Sequence, residues 1–251
     1  MLDRRLISAD VLKLRRRRGM LSISLLLTLG GTALAFIVMA IQHAGNPADF
    51  GPAGGLENYR NIISFAGAMA LVVGAIVGGT AGTQDLESGV FRDLAATGRS
   101  RTALFASRAA AALVVVLTIV GLTAAFTGAA SVALAGSLAA PSAGALVAGT
   151  AGVLVTGALS TAVAVGLSVL VASRGPVIGI QLAFYFAISP LLIGMGFLGS
   201  ARQAIPEVAV KRIADLPGDL HIGLVTAILV VVAWAAAALA LGAWRTSTRE
   251  I

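Results

Sequence analysis

The chain has 251 residues, of which 58% are hydrophobic and only 12% are charged, whereas soluble domains carry about 25% charged residues. Lys and Arg total 18 against 11 Asp and Glu, and long stretches between these charges are uncharged. This composition excludes a soluble enzyme and is typical of a membrane protein. The chain contains no cysteine and two histidines, which excludes disulfides, thiol catalysis and cysteine-based metal sites and disfavours a multi-histidine metal site.

The first predicted element is a cytoplasmic amphipathic elbow segment within residues 1–19. Ile7, Val11 and Leu14 fall on one helical arc, and the neighbouring arginines suit lipid headgroups at a membrane surface. A solvated basic tail is the alternative. The apolar run that follows extends to Ile41, beyond the core of a signal peptide, so we interpret it as an uncleaved first span.

Six stretches are long enough to cross a bilayer, because a helix rises about 1.5 Å per residue and roughly 20 residues cross the hydrocarbon core. The predicted spans are 20–41, 62–83, 109–135, 144–172, 176–199 and 222–244. The third and fourth spans come from one uncharged stretch of 65 residues, Ala109 to Ser173, which we divide at turn residues between Gly136 and Ala143. Residues 20–251 are therefore predicted to form a single all-α domain of six transmembrane helices.

The distribution of Lys and Arg predicts the orientation of these spans. Fourteen of the 18 basic residues fall on one side, and the other side holds four, Arg60, Arg202, Lys211 and Arg212. Cytoplasmic loops are enriched in Lys and Arg, so both termini are predicted to be cytoplasmic. The expected location is the cell (plasma or inner) membrane, with lipids and not nucleic acid as partners. The bias towards Ala, Val, Gly and Arg is consistent with a bacterial source.

The predicted spans contain no Asp, Glu, Lys, Arg or His, which proton- or ion-coupled transporters commonly use within the membrane. The sequence also lacks the Gly-x-x-x-x-Gly-Lys-Ser/Thr loop that binds nucleotide phosphates. We therefore predict no catalytic residue, no metal site and no cofactor on this chain. Any energy source is expected on another chain.

Small residues recur at four-residue spacing in two of the spans. Gly74, Gly78 and Gly82 lie in the second span, and Gly175 and Gly179 lie at the fifth. Such repeats allow two helices to approach closely. General helix packing is the alternative interpretation.

The fifth span also holds a proline and several polar residues. Pro190 removes a backbone hydrogen bond and is expected to kink the helix. Gln181, Tyr185 and Ser189 lie on the same span. These four residues are the candidate translocation path. The alternative is that the polar side chains only form hydrogen bonds between helices.

The densest charge lies between the second and third spans, from Thr83 to Thr102. Leu86, Val90 and Leu94 fall on one helical arc, which favours an amphipathic interfacial or docking helix. The alternative is a solvated loop whose arginines only enforce the topology.

This segment resembles the corresponding connection in permease subunits of ABC-2 type transporters. The resemblance lies in Asp85-x-x-x-Gly89, Leu94, the run from Thr97 to Arg101, and Arg108 at the third span. It extends to the layout of an N-terminal elbow, six spans and internal termini, as in type V exporters. It implies a coupling helix that docks on a separate ATP-binding subunit. The residues expected at that contact are Asp85, Glu87, Ser88, Gly89, Arg92, Asp93, Arg99 and Arg101.

The resemblance implies a permease subunit of an exporter that forms the translocation pathway as a dimer, identical or related chains lying side by side. Two copies of the ATP-binding subunit, carrying ATP and Mg²⁺, would drive it. The segment Ser200 to Leu220 resembles the short external helices of the family and is expected to cap the pathway. The alternatives are a self-contained carrier or channel, and a membrane immunity or assembly protein.

Overall fold

The computed structural model describes residues 4–87, 100–218 and 220–248 of the protein. Within these ranges the chain is helical and contains no strand. The helices are α1 (Arg4–Arg16), α2 (Arg18–Gly45), α3 (Leu56–Glu87), α4 (Arg101–Ala133), α5 (Ala143–Val171), α6 (Arg174–Gly194), α7 (Pro206–Ile213) and α8 (Leu224–Thr248). Six of them, α2 to α6 and α8, are long and apolar enough to cross a membrane. This confirms the prediction of an all-α, multi-pass membrane fold with six spans.

The helix bounds differ from the predicted spans, and α4 and α6 show two reasons for this. α4 begins at Arg101, ahead of the predicted start at Ala109, because a helix continues beyond the apolar stretch into charged residues. The predicted fifth span runs to 199, but α6 ends at Gly194 and a separate 3₁₀ segment follows, Gly196–Ala204. Met195 between them has extended backbone angles, φ −77° and ψ 92°. The flanking glycines favour this break because they have little preference for the helix.

The break in the long uncharged stretch has local causes. The chain leaves the helix after Ala133 and enters α5 at Ala143. Gly136 has a φ of +55°, a conformation that glycine adopts without strain. Ser142 caps α5, since its Oγ accepts a hydrogen bond of 3.2 Å from the backbone N of Ala145. The turn residues that divide this stretch in the sequence therefore also start the next helix.

α3 and α5 pack closely at the centre of the bundle. A Cβ atom added at Gly74 would lie 2.7 Å from the Cβ of Ser160, and one added at Gly78 would lie 2.9 Å from the Cβ of Ala164. Gly82 approaches α5 in the same way. These three glycines therefore form a specific contact between helices, as their spacing predicts. The repeat at Gly175 and Gly179 does not, because a Cβ at either position meets no atom within 4 Å.

The peripheral helices leave apolar faces uncovered. Of the 18 most apolar consecutive residues of α8, 6% are buried, whereas 67% of the corresponding residues of α5 are buried. Val225, Leu229 and Trp244 of α8 are among the exposed apolar side chains. In a membrane such faces contact lipid tails or another chain.

The N-terminal helix α1 lies at one end of the bundle, together with the end of α3, the start of α4 and the end of α8. We name this the basic end. Ser107 of α4 donates a hydrogen bond of 2.8 Å to the Oδ2 of Asp10 on α1, and Leu14 of α1 is 2% exposed. Gly242 near the end of α8 lies against Phe105. The existence of α1 agrees with the predicted N-terminal helix, while its position at a membrane surface stays a prediction.

The opposite end, which we name the loop end, contains the α2–α3 and α4–α5 connections and α7. The backbone N of Gly54 donates to the carbonyl of Leu134 at 2.8 Å, which joins the α2–α3 connection to the α4–α5 connection. Ala214, just after α7, lies against Gly152 of α5. The N-terminal helix α1 and the end of α8 lie together at the basic end, as an even number of spans requires. The assignment of the basic end to the cytoplasm stays a prediction.

α6 is distorted directly before Pro190. The helix contains a π turn, Phe184–Ile188, followed by the segment Ser189–Gly194. Proline has no N–H, and its ring would clash with the carbonyl four residues earlier in a regular helix. The wider turn accommodates the ring. The structure therefore contains a helix distortion where the sequence predicts one.

Candidate functional site

The predicted docking segment lies mostly outside the described residues. Asp85 and Glu87 are in the last turn of α3, and Arg101 is the first residue of α4. The remaining residues predicted to dock fall between these helices and outside the described ranges, namely Ser88, Gly89, Arg92, Asp93 and Arg99. The two helices that flank the segment both reach the basic end, where α1 packs on α4.

A cavity of about 240 Å³ lies between α3, α5, α6 and α7 towards the loop end. Most of its wall is apolar, with Ile63 and Gly67 from α3 and Val153 from α5. Space is available at Gly67 because no atom lies within 4 Å of the position that a Cβ would take there. Its walls come from these helices and the residues beside them.

Two charged residues of α7 line this cavity. Lys211 Nζ lies 2.8 Å from Glu207 Oε1, one helical turn away. The second carboxylate oxygen, Oε2, accepts a hydrogen bond of 2.8 Å from the hydroxyl of Ser189 on α6. Both oxygens of Glu207 are therefore engaged, and the carboxylate holds α7 to α6.

Two larger clefts at the loop end adjoin the cavity. Their volumes are about 640 Å³ and about 610 Å³. Lys211 and Leu216 line the cavity and both clefts. Arg212 lines the first cleft, and Arg60 lines the second. Lys211 and Leu216 thus lie between the cavity and the two clefts.

The four residues of the candidate translocation path have different surroundings. Tyr185 and Pro190 line the cavity. Gln181 is 2% exposed, and its Nε2 donates to the carbonyl oxygen of Ser160 at 2.9 Å and to its Oγ at 2.6 Å. Ser189 is fully buried and donates to the carboxylate on α7. The structure brings two of the four to the cavity and gives the other two interhelical hydrogen bonds, the alternative that the sequence left open.

The sequence did not predict Glu207 and Lys211 as residues of the site. It indicated only that the segment Ser200 to Leu220 caps the pathway. A signal was present, because a proline followed by an acidic and a basic residue at four-residue spacing is typical of a short helix with an ion pair. No sequence signal joins Ser189 to Glu207, since that contact depends on how α7 folds back onto α6.

The polar groups of the cavity suit recognition by charge and hydrogen bonding. They are one ammonium, one carboxylate and the hydroxyls of Ser64, Thr156 and Tyr185. Within the part of the chain that the structure describes, no three His, Cys, Asp or Glu side chains form a group that could hold a metal ion.

The fold defines an all-helical, multi-pass membrane protein with a polar-capped cavity at one end of its bundle. In comparisons with known proteins, no family model and no curated protein matches the chain. The resemblance to ABC-2 permeases rests on the short motifs between Asp85 and Arg108 and on the order of the elements.

Proposed function

We propose that this chain is the membrane-spanning permease subunit of an ATP-binding cassette exporter. In this proposal the chain carries no ATPase site, and ATP and Mg²⁺ bind to a separate subunit. Two permease chains lie side by side and form the pathway. The observation that carries the proposal is that the charged connection resembling a coupling helix joins α3 and α4 at the basic end, beside the anchored helix α1.

The flanking helices are suited to transmit a movement of that connection. α3 has 32 residues and α4 has 33, so each is about 50 Å long at about 1.5 Å per residue. The end of α3 at Glu87 adjoins the connection, while Ile63 and Gly67 of the same helix line the cavity. A displacement at the basic end is therefore carried along a continuous helix to the loop end.

The mechanism in this proposal is indirect. ATP binding closes two nucleotide-binding subunits, and their movement displaces the connections docked on them. The paired permeases then switch between inward-facing and outward-facing arrangements, which couples two distant sites through rigid elements. The close packing of α3 on α5 through Gly74 and Gly78 supports movement of these two helices as one body.

The proposal is tested by purifying the tagged chain in mild detergent from native membranes. The co-purifying proteins are identified by mass spectrometry, and ATP hydrolysis by the complex is measured. A stoichiometric nucleotide-binding subunit with vanadate-sensitive hydrolysis is expected. An ATPase-free oligomer would contradict the proposal and favour a self-contained carrier or channel. Another partner without any nucleotide-dependent change would favour an assembly or immunity protein.

Point variants locate the contact. Asp85→Ala and Arg92→Ala are expected to weaken ATPase association while membrane insertion is unchanged. Asp49→Ala and Arg60→Ala are the matched controls, because each removes the same charge at the loop end of the bundle. Equal recovery of the ATPase subunit from all four variants would remove the docking assignment.

A further inference from the structure

We infer that the cavity between α3, α5, α6 and α7 binds the apolar tail of an anionic amphiphile, whose negatively charged group lies at Lys211. The inference goes beyond the proposed role, since it concerns residues of this chain alone and its test uses neither an ATPase partner nor ATP. The ligand class is a phosphate or carboxylate that carries an alkyl chain.

The size and lining of the cavity indicate that it holds the tail of a ligand. Its volume of about 240 Å³ lies below the range of about 300–1,000 Å³ that is typical for sites enclosing a whole small molecule. Apolar side chains such as Ile63 and Val153 form most of its wall. We therefore place the polar remainder of the ligand outside the cavity, at Lys211, which also lines the larger clefts of the loop end.

The expected charge of the ligand follows from the contacts that Glu207 and Lys211 already make. Glu207 uses both oxygens, one for Lys211 and one for Ser189. An ammonium has three N–H donors, and the Lys211 side chain is 43% exposed at the junction of the cavity and the clefts. An anionic group can accept from the remaining donors of this ammonium, which is more exposed than the carboxylate of Glu207, 43% against 25%.

The clefts themselves do not favour either sign of charge. Arg60 in one cleft is accompanied by Glu57, and Arg212 in the other is accompanied by Asp215. The preference for an anion therefore depends on Lys211. We expect that a change of this single side chain alters which charge the site selects.

Photolabelling of the full chain in phosphatidylcholine nanodiscs tests this assignment. The probe is a single-chain alkyl carboxylate with a diazirine at its tail, and the control probe is the alkyl trimethylammonium of the same length. We expect the carboxylate to label peptides of α3 and α5 that contain Gly67 and Val153. Equal labelling of these peptides by the cationic probe, or labelling confined to the exposed face of α8, would overturn the assignment.

Two pairs of variants separate the tail site from the head site. Gly67→Leu places a large side chain in the cavity and is expected to abolish the specific label. Gly179→Leu adds the same side chain at a position that also has no atom within 4 Å but does not line the cavity, and it is expected to retain the label. Lys211→Gln is expected to lower the yield about fivefold, in line with a half-exposed charge, and Lys211→Arg is expected to restore it. Circular dichroism and gel filtration establish that each variant is folded. Undiminished labelling in both Gly67→Leu and Lys211→Gln would overturn the inference.

Competition identifies the source of the anionic group. Replacing part of the phosphatidylcholine by phosphatidylglycerol lowers the yield if a membrane phospholipid occupies the site. Excess alkyl phosphate added from solution lowers it if a free amphiphile does. A yield that neither competitor reduces means that the label is non-specific and overturns the inference.

Discussion

The close contact between α3 and α5 predicts that replacing glycine by alanine destabilises the protein less at one position of α3 than at another. Gly78 faces α5, and a Cβ there would lie 2.8 Å from the carbonyl oxygen of Thr161 and 2.9 Å from the Cβ of Ala164. Gly67 has no atom within 4 Å of that position. Gly78→Ala therefore forces two backbones apart, whereas Gly67→Ala adds a methyl group to open space.

The expected size follows from two contributions. Overpacking a close helix contact costs about 1–3 kcal/mol, and replacing glycine by alanine within a helix contributes about 1 kcal/mol of stability. The helix contribution is common to both variants and cancels when they are compared. Gly78→Ala is therefore expected to be about 1–3 kcal/mol less stable than Gly67→Ala.

The free energy of unfolding is measured by titrating sodium dodecyl sulfate into mixed micelles of the purified chain and following helicity by circular dichroism. The unmodified chain and Gly67→Ala provide the two references. Stabilities of Gly78→Ala and Gly67→Ala that agree within about 0.5 kcal/mol, the usual range for sites without specific contacts, would refute the close approach of α3 and α5.

Two further predictions concern single hydrogen-bonded side chains. Gln181→Leu is expected to change the free energy of unfolding by less than about 1 kcal/mol, since Ser160 keeps its bond of 2.6 Å to the carbonyl of Leu71; a larger loss in the same titration would show a greater role for the amide. Ser107→Ala removes the bond to Asp10 and leaves the ion pair between Asp10 and Lys13 in place, so it should increase tryptic cleavage at the basic residues of α1. Ser8→Ala, which loses only a local bond to Arg5, should not increase it, and equal cleavage rates would contradict the anchoring of α1.

The number of spans could be predicted because one physical constraint determines it. A charge within the hydrocarbon core is costly, so uncharged runs of sufficient length indicate the spans directly. The turn at Ser142 was also predictable, because polar and glycine residues interrupt an otherwise apolar stretch there. These signals are local in sequence and need no knowledge of which helices are neighbours.

The site was less predictable because it depends on contacts between distant segments. The repeats at Gly74 and Gly78 and at Gly175 and Gly179 have the same spacing, yet only the first faces another helix. Tyr185 and Gln181 lie one turn apart on α6, but one lines the cavity and the other bonds to α5. Sequence spacing identifies a shared helix face and does not identify its neighbour.

The π turn before Pro190 has a consequence for the lining of the cavity. A π turn holds one residue more than a turn of regular α-helix, so it shifts the helical register of α6 after the turn relative to the part before it. Tyr185 and Phe186 of this turn and Pro190 after it all line the cavity. The extra residue therefore determines which side chains of α6 face the cavity, and the proline favours the wider turn by excluding a regular helix there.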